Sequence, residues 1–198
     1  MMFNETDVSC IHLPEMYESD IKLRIRDFVS VQAGELLVDE LPICGHSARA
    51  DLAWVSDTIS GYEIKSQNDT LSRLSKQVDF YDRVFHYSTL VVAEKHVASA
   101  KRMLPEHWGF WVVPTNKLSE FVIEREPSTN EHKCGAAISE FLWTHELLEI
   151  ISELGKVEVR ESWSRKKLRQ LLVSELDPTL LLQITAAKMK LRQRWRAA

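Results

Sequence analysis

Hydrophobic positions recur along this chain with two periods, and the changes of period mark its elements. In SDIKLRIRDFVS, Ile21, Ile25 and Phe28 fall at helical intervals behind the capping residues Ser19 and Asp20, so the spacing predicts a helix over residues 19–30. Three short stretches of strand character follow, GELLVDELPI, RADLAWV and GYEIKS, separated by the hairpin-like breaks CGHSA and SDTIS. They read as a three-stranded meander. Residues 69–86 then place Leu71, Leu74, Val78, Tyr81 and Phe85 at three- and four-residue intervals, an amphipathic helix expected to start near Asn68 or Asp69. TLVVAEKH reads as a buried fourth strand, HVASAKRML as a short helix and GFWVVP as a fifth strand.

Beyond this point the pattern changes. Residues 124–133, EREPSTNEHK, are polar and contain Pro127, so a linker is expected over about 124–135. Everything after it reads as helix: residues 136–154, then SWSRKKLRQLLVSEL behind a serine cap, then a segment capped by Asp177 with Pro178 in its first turn. The expectation is an α/β domain over residues 15–125 with a helical C-terminal appendage over residues 136–198.

Composition narrows the class. With 198 residues, 44% hydrophobic and 27% charged, the chain is expected to fold around one main core. It has no apolar run long enough for a transmembrane helix, and its first residues lack the basic-then-apolar layout of a secretory signal, so a cytoplasmic, membrane-free protein is expected. Cys10, Cys44 and Cys134 form neither a disulfide framework nor a zinc pattern. The net charge of −4 hides a division: residues 156–198 hold 11 basic against 4 acidic residues, and the rest of the chain 14 against 25. A basic tail on an acidic body suits a polyanion, an acidic partner or packing of the tail on that body.

The densest chemistry lies in GYEIKS. Alternate side chains of a strand share a face, so Glu63 and Lys65 point together while Ile64 points the other way. With the next turn back centred near Thr58, Asp51 lies opposite Lys65; with the preceding one centred between Gly45 and His46, Glu40 lies opposite Asp51. Three carboxylates and a lysine then share one patch, with Leu52, Trp54, Tyr62 and Ile64 on the apolar reverse. Clustered carboxylates repel, and a hard divalent cation compensates them; a lysine beside it suits the positioning of an attacking water. Taken alone, E-x-K also fits a plain surface salt bridge.

The set of motifs resembles the PD-(D/E)XK nuclease superfamily, whose core is a helix, a three-stranded meander, a helix and a further strand, with Asp on the second strand and E-x-K on the third. Gln77 and Tyr81 form Q-x-x-x-Y, similar to the additional motif of RecB-type nucleases, with Arg73 one helical step earlier. A closer resemblance is to a bacterial and phage group within that superfamily, carried by Asp20 with Ile25-Arg26, Glu40-Leu41, Arg49-Ala50-Asp51, residues 61–66 and 69–81, and Trp108-Gly109. The resemblance implies a restriction-endonuclease-like αβββαβ core, a mixed sheet flanked by helices. It further implies Mg²⁺ or Mn²⁺ held by Asp51, Glu63 and the main-chain carbonyl of Ile64, with Lys65 and Gln77 in the catalytic set and nucleic acid as substrate, DNA ahead of RNA, with the choice between them left open. Two departures stand out. Ala50 replaces the motif's proline, and the first-helix glutamate has no clear counterpart, leaving Glu40, Glu35 or neither in its place.

Other residues carry two readings. Arg49, Arg73 and Tyr81 suit nucleic-acid contact, yet Tyr81 also lies on the apolar stripe and Arg73 can pair with Asp69. Arg165, Lys166 and Lys167 suit either a nucleic-acid guide or a solvated helix face. At the level of the whole chain, the alternatives to a nuclease are a non-cleaving nucleic-acid-binding protein with the same fold and a subunit of a homodimer or larger complex.

Overall fold

The computed structural model describes residues 16–116, 119–155, 160 and 162–192. Helix α1 (Glu18–Phe28) precedes β1 (Leu36–Ile43), β2 (Ala48–Val55) and β3 (Ile59–Lys65); α2 (Leu74–Asp82) leads to β4 (Tyr87–Ala93). The short α3 (Val97–Ala100) precedes β5 (Gly109–Val113) and β6 (Val122–Arg125), and α4 (Gly135–Ile138), α5 (Thr144–Glu153), α6 (Arg165–Glu175) and α7 (Pro178–Lys190) complete the chain. The six strands form one sheet in the order β1-β2-β3-β4-β5-β6. It is mixed: β1–β2–β3 are antiparallel, β3–β4–β5 parallel, and β6 returns antiparallel to β5. The architecture is therefore α/β, a mixed sheet flanked by helices.

Two apolar layers sandwich the sheet. On one side Ile21 and Ile25 of α1 meet Leu52, Tyr62, Ile64, Val91 and Trp111. On the other, Leu74, Val78 and Tyr81 of α2 join a larger cluster with Phe85, Leu90 and Phe110 that continues through Leu147, Ile150, Leu168, Leu172 and Leu182 of α5–α7. The C-terminal helices thus share a core with the sheet.

Several boundaries differ from the sequence reading for identifiable reasons. Helix α2 begins at Leu74, not near residue 68, because the Asp69 carboxylate turns back to accept from the Ser66 amide (2.8 Å) and hydroxyl (2.5 Å), closing a turn instead of capping a helix. The stretch 136–154 divides at Leu142, whose extended backbone separates α4 and its following 3₁₀ turn from α5. Ser164 and Asp177 do cap α6 and α7, accepting from the backbone amides of Lys167 and of Thr179 and Leu180. The segment read as a linker starts inside β6, and Asn130, fully buried, donates to the carbonyls of Asp82 (2.7 Å) and Phe85 (2.8 Å). Among the described residues no helix is long and apolar enough to cross a membrane.

Candidate functional site

The site forms where β2 and β3 part. Their ladder runs from Val55↔Ile59 to Leu52↔Tyr62, so its register differs by two residues from the expected Asp51–Lys65 pairing. A two-residue slip leaves every side chain on its own face. It brings Asp51 level with Glu63, and the Asp51 carboxylate closes the gap by accepting from the Ile64 amide at 2.7 Å. Between β1 and β2 the expected register holds: Asp39 pairs with Leu52 and Leu41 with Ala50, with Glu40 and Asp51 between them and outside the ladder. Both strands change face there. Val38 and Leu41, and likewise Ala50 and Ala53, enter the same apolar layer despite their odd spacing, and Glu40 takes a left-handed φ of 51°.

That change of face corrects the expectation of one shared patch, because the carboxylates occupy two neighbouring groups instead. Glu63 is fully buried; its Oε1 accepts from Lys65 Nζ and Gln77 Nε2, both at 2.5 Å, and its Oε2 from the Tyr81 hydroxyl at 2.7 Å. The other group joins Asp51 and Glu40 to Glu18, with one oxygen from each lying within 4.8 Å of the others. Glu18 is the residue that sequence reasoning missed. It precedes Ile21 by three and Ile25 by seven positions, so it continues the buried stripe of α1 to the rim of the sheet. The signal was present, but Ser19 and Asp20 looked like the helix start, whereas the helix begins at Glu18.

Burial governs the electrostatics. Desolvation, followed by the neighbouring Glu63 charge, pushes the Asp51 carboxyl up to about 8, against the bond from the Ile64 amide. Desolvation also raises Glu63, opposed by Lys65, Tyr81 and Gln77. Those three donors favour the ionised form of Glu63, as the Ile64 amide does for Asp51, and the two carboxyls titrate as a pair. Lys65 is itself only 5% exposed. Glu63 and Lys65 therefore do not stand out from the sheet as exposed groups.

The remaining expected residues do not all join this centre. Tyr81 is fully buried, and besides Glu63 it bonds the Tyr62 carbonyl (3.2 Å) and the Asp51 amide (3.3 Å), the position of a support beneath Glu63. Arg49 is exposed, with Nε 2.6 Å from Glu40. Arg73 is exposed at the start of α2, one residue before Leu74. Glu35 lies elsewhere, accepting from Trp54 Nε1 at 3.0 Å. Arg165, Lys166 and Lys167 form the exposed first turn of α6; Arg165 donates to the Leu142 carbonyl at 2.8 Å, and Lys167 sits 3.7 Å over the Trp163 ring. Part of the basic tail packs on acidic residues of the body, through Lys188–Glu149 (3.0 Å), Lys190–Asp57 (3.4 Å) and the buried pair Arg192–Glu146 (2.6 Å).

The chemistry of this donor set fits a divalent cation. Asp51 and Glu63 are two desolvated carboxylates whose mutual repulsion a cation would relieve, displacing the proton from Asp51. Gln77 Oε1 is buried and has no hydrogen-bond partner among the described residues, a polar atom left over at the same place. Asp51, Glu63 and the Ile64 carbonyl remain the residues that could hold the ion.

Comparison with known families matches residues 13–197 to the family described as bacteriophage P4 protein cII. Protein cII of Enterobacteria phage P4 is 23% identical over 142 residues, covering 70% of this chain and 54% of that protein. The chain thus spans about half the length of the curated relative it matches. No solved structure matches.

Proposed function

The chain belongs to the bacteriophage P4 protein cII family, and we propose that it is a metal-dependent nuclease of the PD-(D/E)XK type that hydrolyses phosphodiester bonds in DNA in the cytoplasm. The observation that carries this reading is the buried constellation on β2, β3 and α2, in which Asp51 and Glu63 stand level and Lys65, Gln77 and Tyr81 all converge on Glu63. Burying two carboxylates and a lysine costs stability that apolar residues would not cost, so a purely structural role is a poor account of them. The restriction-endonuclease-like reading of the fold rests on the same order of elements, α1, the β1–β3 meander, α2 and β4.

In this reading Asp51, Glu63 and the Ile64 carbonyl would hold Mg²⁺ or Mn²⁺, which would supply charge neutralisation and make a nearby water more acidic. Lys65 orients the water for attack on phosphorus and offers its ammonium protons to the charge growing on the phosphate. Gln77 and Tyr81 fix Glu63, and through it Lys65, so the ammonium is held before substrate arrives. Arg49 and Arg73, exposed beside the site, serve the flanking phosphates.

One observation favours a second reading. Both Glu63 oxygens are already engaged by three donors, as they would be in a non-cleaving nucleic-acid-binding protein that had kept the fold. Incubating the chain with circular and linear DNA, with and without Mg²⁺ or Mn²⁺, decides between them. Metal-dependent breakage that disappears in Asp51→Asn supports the nuclease; metal-independent binding without breakage supports the alternative.

A further inference from the structure

The acidic group at Glu18, Glu40 and Asp51 already contains a positive charge. Lys22 Nζ lies 2.6 Å from Glu18 Oε1 and bonds Glu40 Oε1 as well, with its side chain only 14% exposed. It follows Glu18 by one helical turn, between Ile21 and Ile25, both fully buried, so the packing of α1 fixes where its stem begins. Arg49 holds the remaining Glu40 oxygen, Oε2, at 2.6 Å. Burial works to lower the Lys22 ammonium, but the two carboxylates outweigh it and the group is raised, firmly cationic.

Resting on the metal-dependent reading above, we propose that Lys22 stands in for a second cation, so that the site binds one divalent ion per chain, at Asp51 and Glu63, and Lys22 excludes another from Glu18 and Glu40. The oxygens of Glu18, Glu40 and Asp51 lie within 4.8 Å of one another, a spacing that one cation could bridge. An ammonium bonded to two of the three takes that place with a single charge and without desolvating a hydrated ion. A divalent ion entering beside it would meet like-charge repulsion, and would have to expel a side chain that α1 holds in place. Glu18 and Glu40 thereby become anchors for Lys22 and leave Asp51 to the metal.

Counting Mn²⁺ bound to the full chain without nucleic acid, by electron paramagnetic resonance of the free ion, tests this. The expected count is one for the wild type and for Lys22→Arg, two for Lys22→Met, and one again for the double variant Glu18→Gln/Lys22→Met. Two ions in the wild type, or one in folded Lys22→Met, would overturn the proposal while leaving the metal-dependent reading standing. No ion in the wild type would overturn both. Should Lys22→Met fail to fold, Glu18→Gln alone decides: an unchanged count of one supports the inference, and a lost ion contradicts it.

Discussion

On the α1 side of β3, Tyr62 and Ile64 pack against Ile21, Ile25 and Trp111, an apolar interface of ordinary kind. On the α2 side of the same strand, Glu63 and Lys65 are buried as completely, but against Gln77, the Tyr81 hydroxyl and each other. Two residues earlier, Gly61 faces Phe85 so closely that a Cβ would lie 2.5 Å from its ring. Adjacent side chains of one seven-residue strand thus divide between an apolar interface and a buried charged cluster. The first face is stabilised by area removed from water; the second holds together only while every charge keeps its partner.

The largest expected effect breaks that partnership. Glu63→Ala leaves the Lys65 ammonium buried without its counter-ion and should cost about 3–5 kcal/mol, read by urea unfolding. A surface salt bridge, the other reading of E-x-K, would lose at most about 1 kcal/mol. Replacing both partners by apolar residues of similar size, Glu63→Leu with Lys65→Met, should instead be neutral or stabilising by about 1–4 kcal/mol. If the single and double variants lose the same amount, the polar face is not the metastable one.

Next comes the close approach at Gly61. Gly61→Ala pushes Phe85 out of its place and should cost about 1–3 kcal/mol, with the larger loss if the ring cannot rotate. A melting temperature equal to the parent's would show that the α2 layer yields more easily than its packing suggests.

Per unit of pH, a smaller effect is expected at Asp51. The folded Asp51 carboxyl is raised to about 8 from an ordinary value of 3.8, so between these values the folded chain keeps a proton that the unfolded chain has lost. This contribution to stability is complete below the ordinary value and declines as pH rises, by at most about 1.4 kcal/mol per pH unit, until the folded group ionises near 8. Asp51→Asn should flatten the decline. Since a cation competes with that proton, the rise in melting temperature caused by Mn²⁺ should grow with pH over the same window in the parent and vanish in the variant. A metal-dependent rise that survives in Asp51→Asn would place the ion elsewhere.

The smallest effect concerns α6. Reversing the charges of Arg165, Lys166 and Lys167 should flatten the salt dependence of DNA binding without altering the Mn²⁺-dependent stabilisation. An unchanged slope in the folded variant would remove this turn from the nucleic-acid path. The pairing of Lys188, Lys190 and Arg192 with acidic residues already accounts for part of the tail's charge within the fold.

How much of this was legible in the sequence depends on the range of the interaction. Alternation along GYEIKS separated Glu63 and Lys65 from Ile64 correctly, and spacing on α2 put Gln77 and Tyr81 together, because both follow from local geometry. The β2–β3 register was two residues off, since turn length alone does not fix it. The change of face at Glu40 and Asp51 was hidden: a glutamate at φ 51° carries no mark that separates it from any other. Glu18 was obscured by better capping residues beside it, and β6 by the polarity of an edge strand next to Pro127. The burial of Glu63 and Lys65 could not be read from a charged pair that fits a solvated surface equally well.

The central claim, that the charged face of β3 cuts DNA, meets its most direct test in the nicking of a supercoiled circle in Mn²⁺ by the parent and by Glu63→Gln, which keeps the shape of the side chain and removes its charge. The account predicts metal-dependent nicking by the parent and a loss of at least about 100-fold in the variant, the scale on which removal of a positioned catalytic group is felt. No nicking by the folded, Mn²⁺-loaded parent, or an equal rate in a folded Glu63→Gln chain, would contradict it.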